Sequence, residues 1–129
     1  MQAIIQKISM PEKLFGVFAA AVTPLKSDLD PDLDSLPEYL AILAGRGCHG
    51  ALVLGTTGEG PSFSVEQRKA ITRAALRVRE AQPEFIVLAG TGCASLTDTI
   101  ELTRGAFDLG VDGCVTLPPF YYKGVAVEW

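Results

Sequence analysis

The apolar residues of this chain fall into four short runs, spaced by roughly thirty residues. The runs are Val17–Val22, Ala51–Leu54, Phe85–Ala89 and Cys114–Leu117. None of them alternates polar and apolar positions, as a strand with one solvated face would. Short continuous runs are typical of strands that are buried on both faces, as they are in a parallel sheet. The pattern therefore predicts four parallel strands.

The stretches between these runs show the spacing of amphipathic helices. In the first stretch, leucines recur at i, i+4 and i+7, at Leu36, Leu40 and Leu43. Asp34 is the expected N-cap of this helix, and Gly45 and Gly47 are expected to end it.

Two further helices are predicted in the same way. The second begins with a capping box at Ser64–Gln67. Its expected buried face consists of Ile71, Ala74, Ala75 and Val78. The third begins after Ser95 or Thr97 as N-cap and stops at Gly110. Its expected buried face consists of Ile100, Ala106 and Phe107.

Strands and helices thus alternate, as they do in a doubly wound open sheet or in a (β/α)8 barrel. A dinucleotide-binding open sheet requires a Gly-x-Gly-x-x-Gly turn after its first strand, where this chain has Thr23-Pro24-Leu25. Since a barrel of this type closes with eight strands, residues 14–129 would form the N-terminal half of one. Residues 1–13 are then expected to be an N-terminal extension, and Val125–Trp129 the first turn of another helix.

Composition and charge narrow the class of protein. The chain has 129 residues, of which 48% are hydrophobic and 20% charged, which is ordinary for one globular domain. Its net charge of −4 argues against a nucleic-acid partner. The apolar runs are too short to cross a bilayer, and no secretory signal is apparent. Three widely spaced cysteines, Cys48, Cys93 and Cys114, predict a reducing cytoplasmic compartment without disulfides or a zinc site.

The most informative motif is Gly55-Thr56-Thr57-Gly58-Glu59, directly after the second predicted strand. Glycines let a backbone turn tightly and approach a ligand closely. Backbone N–H groups with two adjacent hydroxyls would bind a carboxylate or a phosphate. The alternative is an ordinary strand-to-helix turn in which the threonine hydroxyls cap the backbone.

A second motif, Pro118–Lys123, follows the fourth predicted strand and contains two adjacent tyrosines. One of the two could offer a phenol as proton donor or relay. The alternative is that both tyrosines pack on the sheet or at a subunit contact. The segment Gly90-Thr91-Gly92 after the third strand is expected only to let the loop turn.

The remaining polar residues predict little chemistry. His49, the only histidine, precedes the second strand, at the end of the sheet opposite the expected site, so we expect a structural role. A histidine-dependent hydrolase is thereby excluded. The three cysteines are expected to pack as small apolar residues. The basic residues of the second helix are expected to form a solvated face, namely Arg68, Lys69, Arg73 and Arg77.

Four motifs together resemble those of the dihydrodipicolinate synthase/N-acetylneuraminate lyase family. They are Gly16–Pro24, Gly55–Glu59, Ala89–Gly92 and Pro119–Tyr122, in the family's order and spacing. The resemblance covers the chain from Leu14 to its end. It implies a (β/α)8 barrel, usually a homotetramer, that condenses or cleaves pyruvate with an aldehyde through a lysine Schiff base. It also implies that neither a metal nor an organic cofactor is used.

The resemblance also assigns roles to particular residues. It implies that Thr57 holds the pyruvate carboxylate with its hydroxyl and the neighbouring N–H groups, with Gly55 and Gly58 in the substrate-binding turn. Thr56 would take part in a proton relay. Tyr121 would be the relay tyrosine that reaches the active site of a neighbouring subunit. Schiff-base formation needs several proton transfers, which a chain of hydroxyls can carry without a histidine.

The chain departs from the family pattern in one large respect. In the family, the Schiff-base lysine lies on the sixth strand and another relay tyrosine on the fifth, and this chain reaches neither. Its own lysines are Lys7, Lys13, Lys26, Lys69 and Lys123, none of which we expect to be the nucleophile. The chain alone is therefore expected to be inactive. The Thr56-Thr57 pair is more similar to dihydrodipicolinate synthase than to neuraminate lyase, which usually has Ser-Thr.

Two other hypotheses stay open at this point. In the first hypothesis, the chain would be a non-catalytic half-barrel that serves assembly or binds a small carboxylate. In the second, it would be an open doubly wound domain that binds a phosphate at Gly55–Gly58.

Overall fold

The computed structural model describes residues 14–121 and contains a four-stranded sheet with three α-helices. The strands are β1 (Phe18–Ala20), β2 (Gly50–Val53), β3 (Ile86–Gly90) and β4 (Gly113–Val115). The helices are α1 (Ser35–Gly45), α2 (Val65–Leu76) and α3 (Leu96–Leu109). Short 3₁₀ helices lie at Gly60–Ser62 and Arg77–Glu80. The predicted extension at 1–13, the predicted helical turn at Val125–Trp129, Tyr122 and Lys123 lie outside the described residues.

All strands of this sheet are parallel and follow the order β1-β2-β3-β4. Ala19 pairs with Ala51, Ala51 with Val87, and Ala89 with Cys114. The predicted parallel arrangement is confirmed, although β1 and β4 are shorter than the apolar runs that predicted them. Because all four strands are parallel, their carboxyl ends lie along one edge of the sheet.

The hydrophobic core lies between the sheet and its helices. Its fully buried large side chains come from α1, from α2 and the turn that follows it, and from the central strands: Leu36, Leu40, Val53, Ile71, Val78 and Val87. Burying a side chain of this size stabilises a fold by about 1.5–3 kcal/mol. Among the described residues, no helix is long and apolar enough to cross a membrane.

The predicted N-cap of α1 is correct in position, but its side chain does not cap the helix. Asp34 occupies the N-cap position, but its carboxylate makes no capping hydrogen bond. Asp32 caps the helix instead, because its Oδ1 accepts from the Ser35 N–H at 3.1 Å and its Oδ2 from the Ser35 hydroxyl at 2.7 Å. These bonds, that of the hydroxyl first, lower the pKa of Asp32 below its ordinary value of 3.8.

Helix α2 begins and packs as predicted. The Ser64 hydroxyl accepts from the Gln67 N–H at 3.2 Å, and the Gln67 side chain accepts from the Ser64 N–H at 3.0 Å. The predicted apolar face is buried.

Helix α3 begins at Ser95, whose hydroxyl accepts from the Asp98 N–H, and ends at Gly110. Its buried face differs from the prediction, since Ile100 is 41% exposed. Thr99 is buried in its place, together with Leu102 and Ala106. The Thr99 hydroxyl can be buried because it donates to the Ser95 carbonyl at 3.0 Å and accepts from the Cys93 N–H at 2.9 Å.

Candidate functional site

The carboxyl edge of the sheet brings the predicted motifs together. The Gly55–Glu59 turn follows β2, Thr23 follows β1 at the same edge, and the segment 118–121 follows β4. Between them lies Gly90, the last residue of β3. Loops at this edge hold the active sites of parallel α/β enzymes, so this edge is the candidate site.

The Gly55–Glu59 turn is bent by two residues that are not glycine. Leu54 has φ = 60° and Glu59 has φ = 54°, both in the left-handed region. This conformation is a genuine outlier for a bulky residue such as leucine and persists only where the surroundings enforce it. Neither Gly55 nor Gly58 has a positive φ. The turn therefore does not use the left-handed conformation that glycine adopts freely.

Glycines serve close packing instead. A Cβ at Gly58 would lie 2.8 Å from the Ala21 carbonyl oxygen and 2.9 Å from the Leu54 nitrogen. A Cβ at Gly60 or at Gly90 would collide with the Leu54 carbonyl oxygen. The Gly90–Gly92 segment thus does more than let the loop turn, since Gly90 gives the strained Leu54 backbone room beside β3.

Hydrogen bonds fix the backbone of the Gly55–Glu59 turn, both from the segment after β1 and within the turn. The Thr23 hydroxyl, which is buried, donates to the Gly58 carbonyl at 2.7 Å. The Glu59 N–H donates to the Thr56 carbonyl at 3.1 Å, and the Gly60 N–H to the Gly55 carbonyl at 3.2 Å. With its backbone fixed in this way, the turn presents Thr56 and Thr57, both exposed.

This arrangement can bind an anion through hydroxyls on a rigid backbone. Thr56 and Gly55 also line a cavity of about 120 Å³ beneath Phe120. Gly58 is buried against β1, so its side of the turn faces the protein. The ligand-binding roles of Thr57, Gly55 and Gly58 and the relay role of Thr56 stay predictions.

Tyr121 lies at the end of the described residues and is 77% exposed. Phe120 beside it is 52% exposed. This exposure is compatible with a phenol that serves another subunit, and that role too stays a prediction.

Arg68 is a residue of this region whose importance the sequence did not indicate. It was expected on a solvated face, but it is only 3% exposed. Its guanidinium donates to the carbonyls of Gly90 at 2.8 Å and Gly92 at 3.1 Å, and to the Cys93 sulfur at 3.0 Å. The only available signal was its position at the start of α2, four residues after the N-cap.

Three threonine hydroxyls near the end of β3 form a chain of hydrogen bonds. The Thr103 hydroxyl donates to Thr91 at 2.9 Å, and Thr91 and Thr116 share a hydrogen bond of 2.9 Å. Burial raises the pKa of the nearby Cys114 thiol to about 11. Cys114 and Cys48 pack against the core as expected, whereas Cys93 accepts a hydrogen bond from Arg68.

The two lysines within residues 14–121 do not have the environment of a nucleophile. Lys26 is exposed in the loop after β1. Lys69 forms ion pairs with Glu101 and, at 3.0 Å, with Glu66. Its hydrogen bond to Glu101 above all raises the pKa of Lys69, which favours the protonated amine. A Schiff-base lysine needs the opposite shift.

His49 has the structural role that was expected. Its Nδ1 accepts from the Val17 N–H at 3.0 Å, at the amino end of β2 and away from the candidate site. Among residues 14–121, no group of three or more His, Cys, Asp or Glu side chains is placed to hold a metal ion.

Four parallel strands in sequential order, connected by helices and with the candidate site at their carboxyl ends, define the N-terminal half of a (β/α)8 barrel. The chain belongs to the dihydrodipicolinate synthetase family, whose profile matches residues 13–128. The resemblance seen in the four motifs is thus confirmed, and the family comprises lyases.

Two curated relatives illustrate the relationship. An uncharacterised DapA-like lyase from Chloroflexus aurantiacus is 52% identical over 109 residues, which cover 84% of this chain and 36% of the relative. A 4-hydroxy-tetrahydrodipicolinate synthase from Kosmotoga olearia is 38% identical over 108 residues, which cover 84% of this chain and 36% of that enzyme. The chain therefore spans roughly a third of the length of these relatives.

Solved structures agree with this membership. The N-acetylneuraminate lyase of Proteus mirabilis matches with a TM-score of 0.81 and 33% identity, over 88% of this chain and 38% of that one. The prophage protein YagE of E. coli K12, solved in complex with pyruvate, matches with a TM-score of 0.80 and 32% identity over the same shares of 88% and 38%.

Proposed function

We propose that this chain forms the first four strands, and part of the active site, of a pyruvate-dependent Schiff-base lyase. In this proposal residues 14–129 are the N-terminal half of the barrel, and residues 1–13 are an extension. The observation that carries the proposal is the turn after β2, which presents Thr56 and Thr57. Its backbone is strained at Leu54 and is held by the hydrogen bond from the Thr23 hydroxyl. Such rigidity suits a group that must bind a small substrate in one orientation.

Thr57 is proposed to bind the pyruvate carboxylate. Its hydroxyl is exposed at the edge where the parallel strands end, and adjacent backbone N–H groups, including those of Gly55 and Gly58, are proposed to complete the carboxylate site. The pyruvate complex of YagE supports the choice of ligand.

Thr56 and Tyr121 are proposed to carry protons. Schiff-base formation adds an amine to the C2 carbonyl of pyruvate and releases water, so protons must leave the amine nitrogen and reach the carbonyl oxygen, which departs as water. The single histidine lies at the opposite end of the sheet, so the hydroxyls of Thr56 and Tyr121 are proposed to carry these protons in its place. Tyr121 would reach the site of a neighbouring subunit.

The nucleophile is proposed to lie in a part of the enzyme that this chain does not contain. Neither Lys26 nor Lys69 has a suitable environment, as shown above. The chain alone is therefore proposed to be inactive, and the reaction to need no metal or organic cofactor.

The relatives support a proposal for the substrate class. We propose an aldol condensation or cleavage between pyruvate and an aldehyde, of the dihydrodipicolinate synthase type that serves lysine biosynthesis. The Kosmotoga relative and the Thr56-Thr57 pair support this type. The working enzyme is proposed to be a cytoplasmic homotetramer.

The test joins this chain to the part of the barrel that it lacks, taken from a relative. In this hybrid lyase, residues 14–121 replace the matching segment of the Chloroflexus lyase, which supplies the rest of the barrel. We expect the folded hybrid to consume pyruvate in the presence of suitable aldehydes, or to release it from the corresponding aldol products. A folded hybrid of the parental oligomeric state that leaves pyruvate unchanged, where the parent reacts, contradicts the proposal.

A second candidate function, a half-barrel that serves assembly or binds a small carboxylate, is favoured by one observation. Several large apolar side chains of the described residues are exposed, among them Phe15, Val17, Leu117 and Phe120. Exposed apolar surface of this kind marks an interaction site. Under this second function the chain alone would bind pyruvate without reacting, which titration with NMR detection measures.

A further inference from the structure

Arg68 is a buried cation in an unusual place. It lies in the first turn of α2, where the helix dipole disfavours a positive charge, and it is only 3% exposed. Burying a charge is costly unless the charge is paired. Within residues 14–121, however, the acceptors of Arg68 are neutral, and its Nε has no hydrogen-bond partner. An arrangement this costly calls for a compensating role.

The contacts of Arg68 fix the carboxyl end of β3. Its Nη2 donates to the Gly90 carbonyl at 2.8 Å, and its Nη1 to the Gly92 carbonyl at 3.1 Å. The planar guanidinium can hold both carbonyls at once, because its donors form a rigid fork. The backbone of Gly90–Gly92 is thereby tied to α2.

The Gly90–Gly92 segment lies between the Gly55–Glu59 turn and the loop after β4. A Cβ at Gly90 would be 3.1 Å from the Gly55 nitrogen, so Gly90 abuts the start of the threonine turn. A Cβ at Gly92 would be 2.8 Å from the Leu117 nitrogen, so Gly92 abuts the segment that leads to Tyr121. Displacing the segment would therefore move both loops.

The side chain of Arg68 also borders the candidate site. Arg68 lines the same cavity of about 120 Å³ as Gly55 and Thr56. Because the described residues offer it no carboxylate, its positive charge is left to act on this cavity. A positive charge that is shielded from solvent favours a nearby anion.

We infer that Arg68 is a positioning residue of the pyruvate site. It aligns the Gly55–Glu59 turn with the loop after β4, and its charge favours a bound carboxylate. The effect on pyruvate rests on the proposed function, whereas the alignment of the turn does not.

The alignment is tested in the full chain by hydrogen exchange of the Glu59 and Gly60 amides, which donate to the Thr56 and Gly55 carbonyls within the turn. Arg68→Met keeps the apolar stem and removes all three hydrogen bonds of the guanidinium, and Arg68→Lys keeps the charge without the fork. We expect exchange at both amides to become about tenfold faster in Arg68→Met and less so in Arg68→Lys. Arg73→Met, on the exposed face of the same helix, is the matched control and should match the wild type.

The effect on pyruvate is tested in the hybrid lyase, well below the unfolding temperature of each variant. We expect Arg68→Met to raise the KM for pyruvate about tenfold and to change kcat by less than about threefold. Arg68→Lys should recover part of the KM because it keeps the charge. A residue with only a structural role would lower thermal stability and leave the KM unchanged.

The outcomes separate this inference from the proposed function. The inference about Arg68 is overturned if folded Arg68→Met has the exchange rates and the KM of the wild type. If Arg68→Met does not fold, wild-type exchange rates and KM in Arg68→Lys overturn it. An unreactive wild-type hybrid would count against the proposed function, while the exchange data would still decide whether Arg68 aligns the turn.

Discussion

Thr57 is the residue on which pyruvate recognition depends in this account. Thr57→Ala in the hybrid lyase removes one hydroxyl directed at a carboxylate, a bond worth about 1.5–3 kcal/mol. The KM for pyruvate should therefore rise roughly tenfold to a hundredfold. Steady-state kinetics with varied pyruvate measure this, with Thr57→Ser as the mild control, since serine retains the hydroxyl. Unchanged pyruvate kinetics in the alanine variant would remove the carboxylate role.

At the residue scale, the sequence indicated the threonine turn but not what holds it. The motif Gly55–Glu59 stood out by its residue types, and the structure places it at the expected edge. The strain at Leu54 and the burial of Arg68 were not predictable. Both depend on β3, which lies more than twenty residues away from Arg68 in sequence, and local patterns carry no information about such contacts.

At the element scale, two neighbouring aspartates before α1 allow a matched comparison. Asp32→Ala removes the carboxylate that caps the helix, so it should lower thermal stability. Asp34→Ala should have little effect, because Asp34 makes no capping bond and its ion pair with Arg77, at 3.5 Å, is exposed. Thermal unfolding of both variants at neutral pH measures the difference. Equal destabilisation by the two changes would contradict the assignment of the cap.

The same cap predicts a pH dependence. The pKa of Asp32 is lowered in the folded state, so its stabilising contribution is present above the ordinary value of 3.8 and is lost as the pH falls through the lower folded value. The stability difference between wild type and Asp32→Ala should therefore be full well above pH 3.8 and should shrink as the pH falls below that value. Urea unfolding at a series of pH values measures it. A difference that persists in acid would show that the carboxylate charge is not responsible.

Element boundaries show where sequence patterns suffice. The capping box of α2 was predicted correctly because Ser64 and Gln67 satisfy each other locally. The cap of α1 and the buried face of α3 were predicted less well. In each, a side chain bonds to a nearby group that periodicity does not describe: Asp32 to the Ser35 hydroxyl, and Thr99 to the Cys93 backbone.

At the scale of the whole molecule, the isolated chain should associate. In the described sheet, β1 and β4 each pair on one side, and apolar residues such as Val17 and Leu117 are exposed. Unpaired strand edges and apolar surface invite contact with another chain. Size-exclusion chromatography with light scattering should therefore show oligomers or aggregates, whereas a clean, soluble monomer would count strongly against this expectation.

Tyr121 tests the relation between subunits. In the hybrid lyase, Tyr121→Phe should lower turnover by about a hundredfold and leave the KM for pyruvate nearly unchanged, because a proton relay alone is lost. A tyrosine that merely packs would instead reduce stability.

Mixing decides whether the phenol acts in the neighbouring subunit. Hybrids with Tyr121→Phe are exchanged with hybrids that lack the Schiff-base lysine, and some mixed sites then join an intact lysine to an intact tyrosine. Turnover should recover on mixing. If subunit exchange is demonstrated and no activity returns, the role across subunits is wrong.

The central claim is that this chain contributes the carboxylate turn and a relay tyrosine, while the nucleophile lies elsewhere in the enzyme. Borohydride reduction in the presence of pyruvate, followed by peptide mapping with mass spectrometry, tests it most directly. In the hybrid lyase, we expect one covalent adduct on a lysine of the segment supplied by the Chloroflexus relative, and no adduct on the isolated 129-residue chain. A pyruvate adduct on any lysine of this chain, in either protein, would contradict the account.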